Sequence, residues 1–321
     1  MDALSDVLRV VRLTGGVFLD AHFTAPWSVA GRIEPFKLTP FLAAPEEVIC
    51  FHYVVSGRLV AAMDGMPAVE MKPGDVILFP RNDVHVLASS LELTPQPAGD
   101  VVFKPPGTGV FQVEHGGGGD ETHIVCGFLG SDSGANPLLQ ALPAMLKLNV
   151  LDTPGGSWIA ESFAFASQQL GRQDAGAGTI IGKLSELMFV EAVRRYIEAL
   201  PPQEAGWLAG LRDTHVGRAL ALMHTKPSHD WTAEDLAGAV NMSRSAFADR
   251  FTQIIGTPPM KYLTNWRMQV AAAKLRERRQ TIAQIAFDVG YESEAAFTRA
   301  FRREMGQPPA TWRKQIETPQ H

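Results

Sequence analysis

The spacing of apolar residues divides the chain into a strand-like first part and a helix-like remainder. Through residues 1–135 the apolar positions come in short runs at 54–63, 69–71, 76–80 and 123–128, each bordered by Gly, Pro or Asp. Short runs with such borders read as β-strands, and their close succession predicts an antiparallel barrel or sandwich. Pro73-Gly74-Asp75 marks a turn, because Pro presets φ, Gly accepts positive φ and Asp bonds nearby backbone. Residues 94–97, 105–109 and 116–119 are rich in breakers and read as loops. From residue 136 the period lengthens. Helices are predicted at 137–145, within 156–170, at 179–200 and at 213–224. In the longest, Ile181, Leu184, Met188 and Ala192 recur every three or four residues, and Leu187 and Val193 widen the stripe. Pro201-Pro202 ends that helix. The expected organisation is α+β: a sheet domain at 1–135, a helical linker and dimerisation region at 136–226, an all-α domain at 227–315 and a tail at 316–321.

The all-α part contains a repeat. Residues 243–263 and 293–313 align without a gap at an offset of 50, with seven of 21 positions identical. The shared residues have separate physical jobs. Ser243 and Ser293 are helix N-caps. Phe247 and Phe251, like Phe297 and Phe301, lie four apart and face one way. Gly256 and Gly306 end the helices, and Pro258-Pro259 and Pro308-Pro309 prevent their continuation. A shorter helix precedes each copy, at 232–240 and 281–289, both reading T-x-x-x-[LI]-A-x-x-V. Helix, tight turn and capped second helix form the helix-turn-helix plan. Residues 260–276 read as a long helix spacing the two units, so a segment beginning at residue 228 is expected to contain the whole of both. A duplicated helical hairpin for protein contact is the plainer alternative. Against it, the outward positions of the second helices are small or basic, the form that enters a major groove. In the first they are Arg244, Ser245, Ala248 and Asp249; in the second they are Glu294, Ala295, Thr298, Arg299 and Arg303.

Charge refines this picture. The chain carries a net charge of −5, which alone argues against a nucleic-acid partner. From Ser228 onward, however, 13 basic residues face 10 acidic ones, while the remainder carries eight net negative charges. A mildly basic end on an acidic body suits one DNA-facing surface. The two cysteines, Cys50 and Cys126, form no disulfide framework and suit a reducing compartment. No apolar run approaches the ~18 residues of a membrane helix, so a cytoplasmic protein is expected.

On Ser243-Arg244-Ser245-x-Phe247, Gly256-x-Pro258-Pro259, Arg267-Met268, Ile285-Ala286-x-x-Val289-Gly290-Tyr291 and Phe297-x-Arg299-x-Phe301-Arg302-Arg303, residues 228–315 resemble the AraC family of bacterial transcription regulators. The resemblance implies double-stranded DNA as partner, both recognition helices entering successive major-groove segments. Base contacts would fall at Ser245, Ala248 and Asp249, then at Glu294, Ala295, Thr298 and Arg299. It also raises RNA polymerase as a further partner.

Pro26-Trp27, His52-x-Val54-x-x-Gly57, Pro73-Gly74-Asp75 with Pro80 and His85, and Cys126-Gly127 resemble the cupin-type sensor domain joined to many such regulators. This implies a small antiparallel β-barrel with a helical extension, wide enough for a small-molecule effector. Trp27, Phe51, Tyr53 and Phe79, with Phe36 and Phe103, are aromatics that could line its pocket or simply fill its core. His52, His85, His123 and Cys126 are candidate ligands for zinc; the alternative is that the histidines are hydrogen-bonded core residues. The chain departs from the metal-binding cupin pattern, which has His-x-His and a downstream Glu. The expectation is therefore an effector-controlled, non-enzymatic regulator that dimerises through the helix at 179–200. A metal-dependent cupin enzyme fused to a DNA-binding domain is the runner-up.

Overall fold

The computed structural model describes residues 3–11, 13–32, 47–101, 111–131, 137–151, 177–201, 205–277 and 279–315, with residues 158, 161, 162 and 165. They belong to two compact units, one of residues 13–135 and 142–196, the other of residues 1–12, 136–141 and 197–321.

The first unit holds the strands β1 (Leu13–Thr24), β2 (Ser28–Gly31), β3 (Glu47–Ser56), β4 (Leu59–Met63), β5 (Val69–Met71), β6 (Asp75–Phe79), β7 (His85–Ala88), β8 (Gln96–Pro97), β9 (Phe111–Gly116), β10 (Glu121–Ser131) and β11 (Leu146–Asn149). They form two sheets, ordered β11-β6-β3-β10-β1-β9 and β5-β4-β7-β2-β8. The expected sheet-rich first domain is thus present, its described strands arranged as two sheets rather than one closed barrel, with β1–β9 and β2–β8 running parallel. Alternation along a strand reports which side is buried, not which edges join. Strand β3 is buried at every position from Val48 to Val54, so it reads as a continuous apolar run rather than an alternating one. The run predicted at 54–63 is two strands. Gly57 breaks it at φ 80°, where a Cβ would collide with the Glu121 carbonyl oxygen. The predicted turn forms before β6, with the buried Asp75 carboxylate accepting from the Lys72 amide at 2.9 Å. The core between the strands gathers Leu19, Ala21, Trp27, Cys50, Val54, Ile77, Phe79, Leu87, Ile124, Cys126 and Phe128.

The helices are α1 (Ala3–Val11), α2 (Ala98–Val101), α3 (Pro137–Ala141), α4 (Ala177–Ala199), α5 (Trp207–Arg212), α6 (Thr214–Thr225), α7 (Ala233–Ala239), α8 (Arg244–Ile255), α9 (Pro259–Glu277), α10 (Ile282–Asp288), α11 (Glu294–Met305) and α12 (Pro309–Gln315). Helix α1 has no counterpart in the predicted elements. The helix predicted at 137–145 stops at Ala141, and residues 146–149 pair with β6 instead. The one predicted at 156–170 lies almost wholly outside the described residues, as do Phe36, Phe103 and the tail. Among the described residues no helix is long and apolar enough to cross a membrane.

Two adjoining cores organise the second unit. Val216, Leu220, Met223, Leu236, Phe247, Phe251 and Leu263 form one; Met268, Ala271, Leu275, Ile285, Val289, Phe297 and Phe301 form the other. Helix α9 contributes its first half to one core and its second half to the other. The first core also extends upstream of the predicted domain start, because α6 supplies Val216, Ala219, Leu220 and Met223.

Candidate DNA interface and buried donor cluster

Both helix-turn-helix units are built by the same local devices. Thr232 and Thr281 close capping boxes with Asp235 and Gln284, satisfying two backbone donors at each helix start. The turn then needs a left-handed residue, filled by Asn241 at φ 56° and by Gly290 at φ 83°. Asn tolerates that region and Gly occupies it without steric cost. The next amide folds back in each copy, Met242 onto the Ala237 carbonyl and Tyr291 onto the Ala286 carbonyl, both at 2.9 Å. Ser243 and Ser293 then accept from the amides of Ala246 and Ala296 and start α8 and α11. Gly256 and Gly306 end those helices in the left-handed region, and Pro259 and Pro309 open the helices that follow.

Phe247, Phe251, Phe297 and Phe301 are fully buried, with ring centroids 5.6 Å apart in the first pair and 5.5 Å in the second. That fixes the outward faces. Arg244, Ser245 and Asp249 are exposed on α8, with Ala248 partly so. On α11 Glu294, Ala295, Arg299 and Arg303 are exposed and Thr298 is partly so. Among the described residues Arg244 and Arg299 engage no hydrogen bond or ion pair. Arg303 differs, donating from Nε to Glu304 Oε1 at 2.8 Å. Arg250 likewise turns back onto Asp213, the residue that caps α6.

Several partly buried polar groups hold this unit together. Arg267 donates to the carbonyls of Pro227 at 2.7 Å and His229 at 2.8 Å, and its burial lowers its pKa from the usual arginine value. The Tyr262 hydroxyl accepts from Trp207 Nε1 and pairs with His224 Nε2, both at 2.7 Å; burial pushes its pKa up.

In the sheet unit the pleat decides which predicted residues meet. Cys50 and His52 share one face of β3, and the paired strands bring Cys126 opposite His52 and Phe79 opposite Cys50. His52 Nε2 lies 2.8 Å from His85 Nε2 and 3.3 Å from Cys50 Sγ. The other nitrogen, Nδ1, stands 2.8 Å from Cys126 Sγ. His85 Nδ1 is 2.8 Å from the Asp83 carbonyl oxygen, and the Phe79 ring stacks on His85 at 3.7 Å. Burial holds both histidines below the usual imidazole range, His52 further through its neighbour His85. Burial likewise raises both thiols. The donor atoms of Cys50, His52 and His85 lie within 4.8 Å of one another and could hold a metal.

Of the four expected ligands, then, His52 and His85 meet directly, Cys126 abuts the far side of His52, and His123 stands elsewhere. His123 pairs with His22 across β1 and β10 and contacts Asp20 Oδ1 at 2.6 Å, on the face away from His52. Cys50 is missing from the expected set, although a cysteine two residues before a strand histidine necessarily shares its face. The four expected effector residues also divide. Trp27 and Phe79 join the inner core, whereas Phe51 and Tyr53 alternate with His52 and point away from it. All four are buried. The Trp27 indole N–H has no hydrogen-bond partner among the described residues.

Residues 2–198 match the model of the cupin family, and residues 236–315 match a helix-turn-helix domain. An AraC-like transcription regulator of Streptomyces lividans is 33% identical over 99% of this chain and 100% of its own length. The HTH-type transcriptional regulator AlkR of Acinetobacter baylyi is 27% identical over 98% and 100%. The RCS-specific HTH-type transcriptional activator RclR of Escherichia coli is 28% identical over 98% of each.

Proposed function

The chain belongs to the AraC-like transcription regulators with an N-terminal cupin domain, and from that premise we propose that α8 and α11 are its recognition helices, with base contacts from Ser245, Ala248, Asp249, Glu294, Ala295, Thr298 and Arg299. The observation that carries this is the unengaged outward face: Arg244 and Arg299 are exposed, while Arg303 and Arg250 are tied to the acidic neighbours Glu304 and Asp213. An arginine free of partners can offer its planar fork to a guanine edge. Helix α9, about 28 Å long at ~1.5 Å per residue, joins the two cores, so the recognition helices are presented as a fixed pair. Arg303, held by Glu304, suits a phosphate better than a base.

The sheet unit is the regulatory half in this reading, taking a small-molecule effector. Trp27 supports it, since a buried donor without a partner is costly and would be relieved by an acceptor on a ligand. The protein would act in the cytoplasm, as a homodimer, and contact RNA polymerase at its promoters. The test is a footprint and shift assay on DNA flanking its own coding region, run across a salt series. Specific protection that weakens with salt is expected, because phosphate binding releases counterions. Absence of any specific site, with the protein folded, overturns the reading.

A further inference from the structure

Independently of how DNA is read, the buried donor cluster of the sheet unit has a chemistry of its own. We propose that Cys50 Sγ, His52 Nε2 and His85 Nε2 bind one monovalent copper ion in a three-coordinate site of one thiolate and two imidazoles, with Cys126 as a positioning residue outside the coordination shell.

The donors converge already. His52 Nε2 is 2.8 Å from His85 Nε2 and 3.3 Å from Cys50 Sγ. Metal–nitrogen bonds of about 2.0 Å would ask these atoms to part by roughly half an ångström. The far nitrogens are oriented as a metal site requires. His85 Nδ1 faces a carbonyl oxygen, which can only accept, so it carries the proton and leaves a lone pair on Nε2. His52 Nδ1 faces the Cys126 sulfur, which can accept a hydrogen bond from an Nδ1–H and so leave the second lone pair on Nε2. Without a cation the two lone pairs cannot face each other; His52 must then donate from Nε2 to His85. Binding therefore moves one imidazole proton from Nε2 to Nδ1 and releases the Cys50 thiol proton to solvent as the copper–sulfur bond forms.

Three features select the ion. No carboxylate joins the set among the described residues, which disfavours hard cations that require oxygen ligands. Thiolate and imidazole are soft or borderline donors and suit copper(I) or zinc. The charge count then decides between these two. Cys50, His52 and His85 are between 2% and 7% exposed, with Phe79 stacked on His85. In so dry a place an uncompensated charge is expensive. One thiolate and two neutral imidazoles neutralise a monovalent ion but leave zinc with a surplus positive charge. Zinc also favours a fourth ligand, and Cys126 is held on the opposite edge of the His52 ring.

The test uses the full chain, reduced and anaerobic, titrated with copper(I) in competition with the chromogenic chelator bicinchoninate, followed by X-ray absorption at the copper edge. One copper per chain is expected, with one sulfur and two nitrogen neighbours. Cys50→Ser should lose the sulfur neighbour and the stoichiometric copper. Cys126→Ser should keep one copper with one sulfur while weakening it about 10–100-fold, the range for outer-shell changes. The inference is overturned by folded wild-type protein that takes up no copper, by a four-coordinate or two-sulfur spectrum, by unchanged binding in Cys50→Ser, or by stoichiometric zinc surviving the copper competition. The wild-type spectrum decides the matter even if a variant does not fold.

Discussion

Two arginines on α11 stand four residues apart and meet different surroundings. Arg303 donates to Glu304, which also accepts from Lys261 at 2.6 Å; Arg299 is exposed and engaged by nothing among the described residues. The difference predicts different mutational signatures. Arg299→Ala should cost about 1–3 kcal/mol of binding and relax preference at one base position. Arg303→Ala should weaken all sequences alike and reduce the salt slope by about one. Binding to a set of single-base operator variants at several salt concentrations separates them, and uniform weakening by Arg299→Ala would make it a phosphate contact. The inward face makes a matching prediction about stability. Phe247 and Phe297 are fully buried, so truncating either to Ala should cost ~3–5 kcal/mol and unfold its own core first. Amide exchange of each variant should show protection lost in one unit before the other; wild-type thermal stability in both would mean that the buried faces are misassigned. These residues were legible because two phenylalanines four apart beside a capping serine have one mutual arrangement on a helix. Cys50 was missed because a lone cysteine among apolar residues reads as core, and only the pairing of β3 with β6 and β10 shows what it faces.

At the scale of elements, the two recognition units follow from local rules that the sequence states openly: a capping threonine, a left-handed turn residue, a capping serine, a terminating glycine. The turn after α10 is where Gly matters most. Gly290 sits at φ 83°, and a Cβ there would approach the Ser228 carbonyl oxygen to 2.8 Å. Gly290→Ala should therefore destabilise the second unit by about 1–3 kcal/mol, whereas Asn241→Gly, at φ 56° in the equivalent turn, should be nearly neutral. Denaturant melts of the two variants give the comparison, and equal effects would show that the contact at Ser228 yields. The sheet elements were harder to read. The run at 54–63 looks continuous because Gly57 lies among strand formers, and β3 hides its alternation by being buried on both faces. The helix boundaries at 213–224 came out close because Asp213 is itself the cap of α6. What the repeat could not reveal is that α6 belongs to the first core, because the recognised similarity begins only at Thr232; the second half of α9 plays the same part in the second core through Met268, Ala271, Ala272 and Leu275. A fragment of residues 228–321 lacks Val216, Ala219, Leu220 and Met223. It should fold only in its second unit and bind DNA poorly, while a fragment of residues 206–321 should fold and shift DNA in a salt-sensitive way. Far-UV spectra and shift assays on the pair decide this; specific high-affinity binding by the shorter fragment would rule it out.

At the scale of the whole molecule the open question is how many recognition helices reach the DNA together. Helix α4 bears on it. Met188, Phe189, Ala192, Val193 and Ile197 are buried, so part of the apolar stripe is spent inside the protein. The remainder is not. Ile180 is 46% exposed and Leu187 51%, with Leu184 half-buried between them on the same face. Beside this strip Lys183 pairs with Glu186, and Arg194 and Arg195 both reach Glu191, so its flanking charges are neutralised locally. A short apolar strip with neutralised borders suits an isologous contact in which each copy meets the same strip of the other. Two protomers would then present four recognition helices, and the second protomer would bind from a raised effective concentration without any new contact to DNA. Leu187→Glu and Ile180→Glu test the idea without disturbing the buried face, unlike a change at Met188. Each variant should stay folded, become monomeric by light scattering, and lose affinity for a double site while keeping that for a half-site. Variants that remain dimeric would place the contact elsewhere on the molecule. A wild-type chain that is monomeric at high concentration, both free and on DNA, would remove the dimer altogether and leave the two units of one chain to account for the whole footprint.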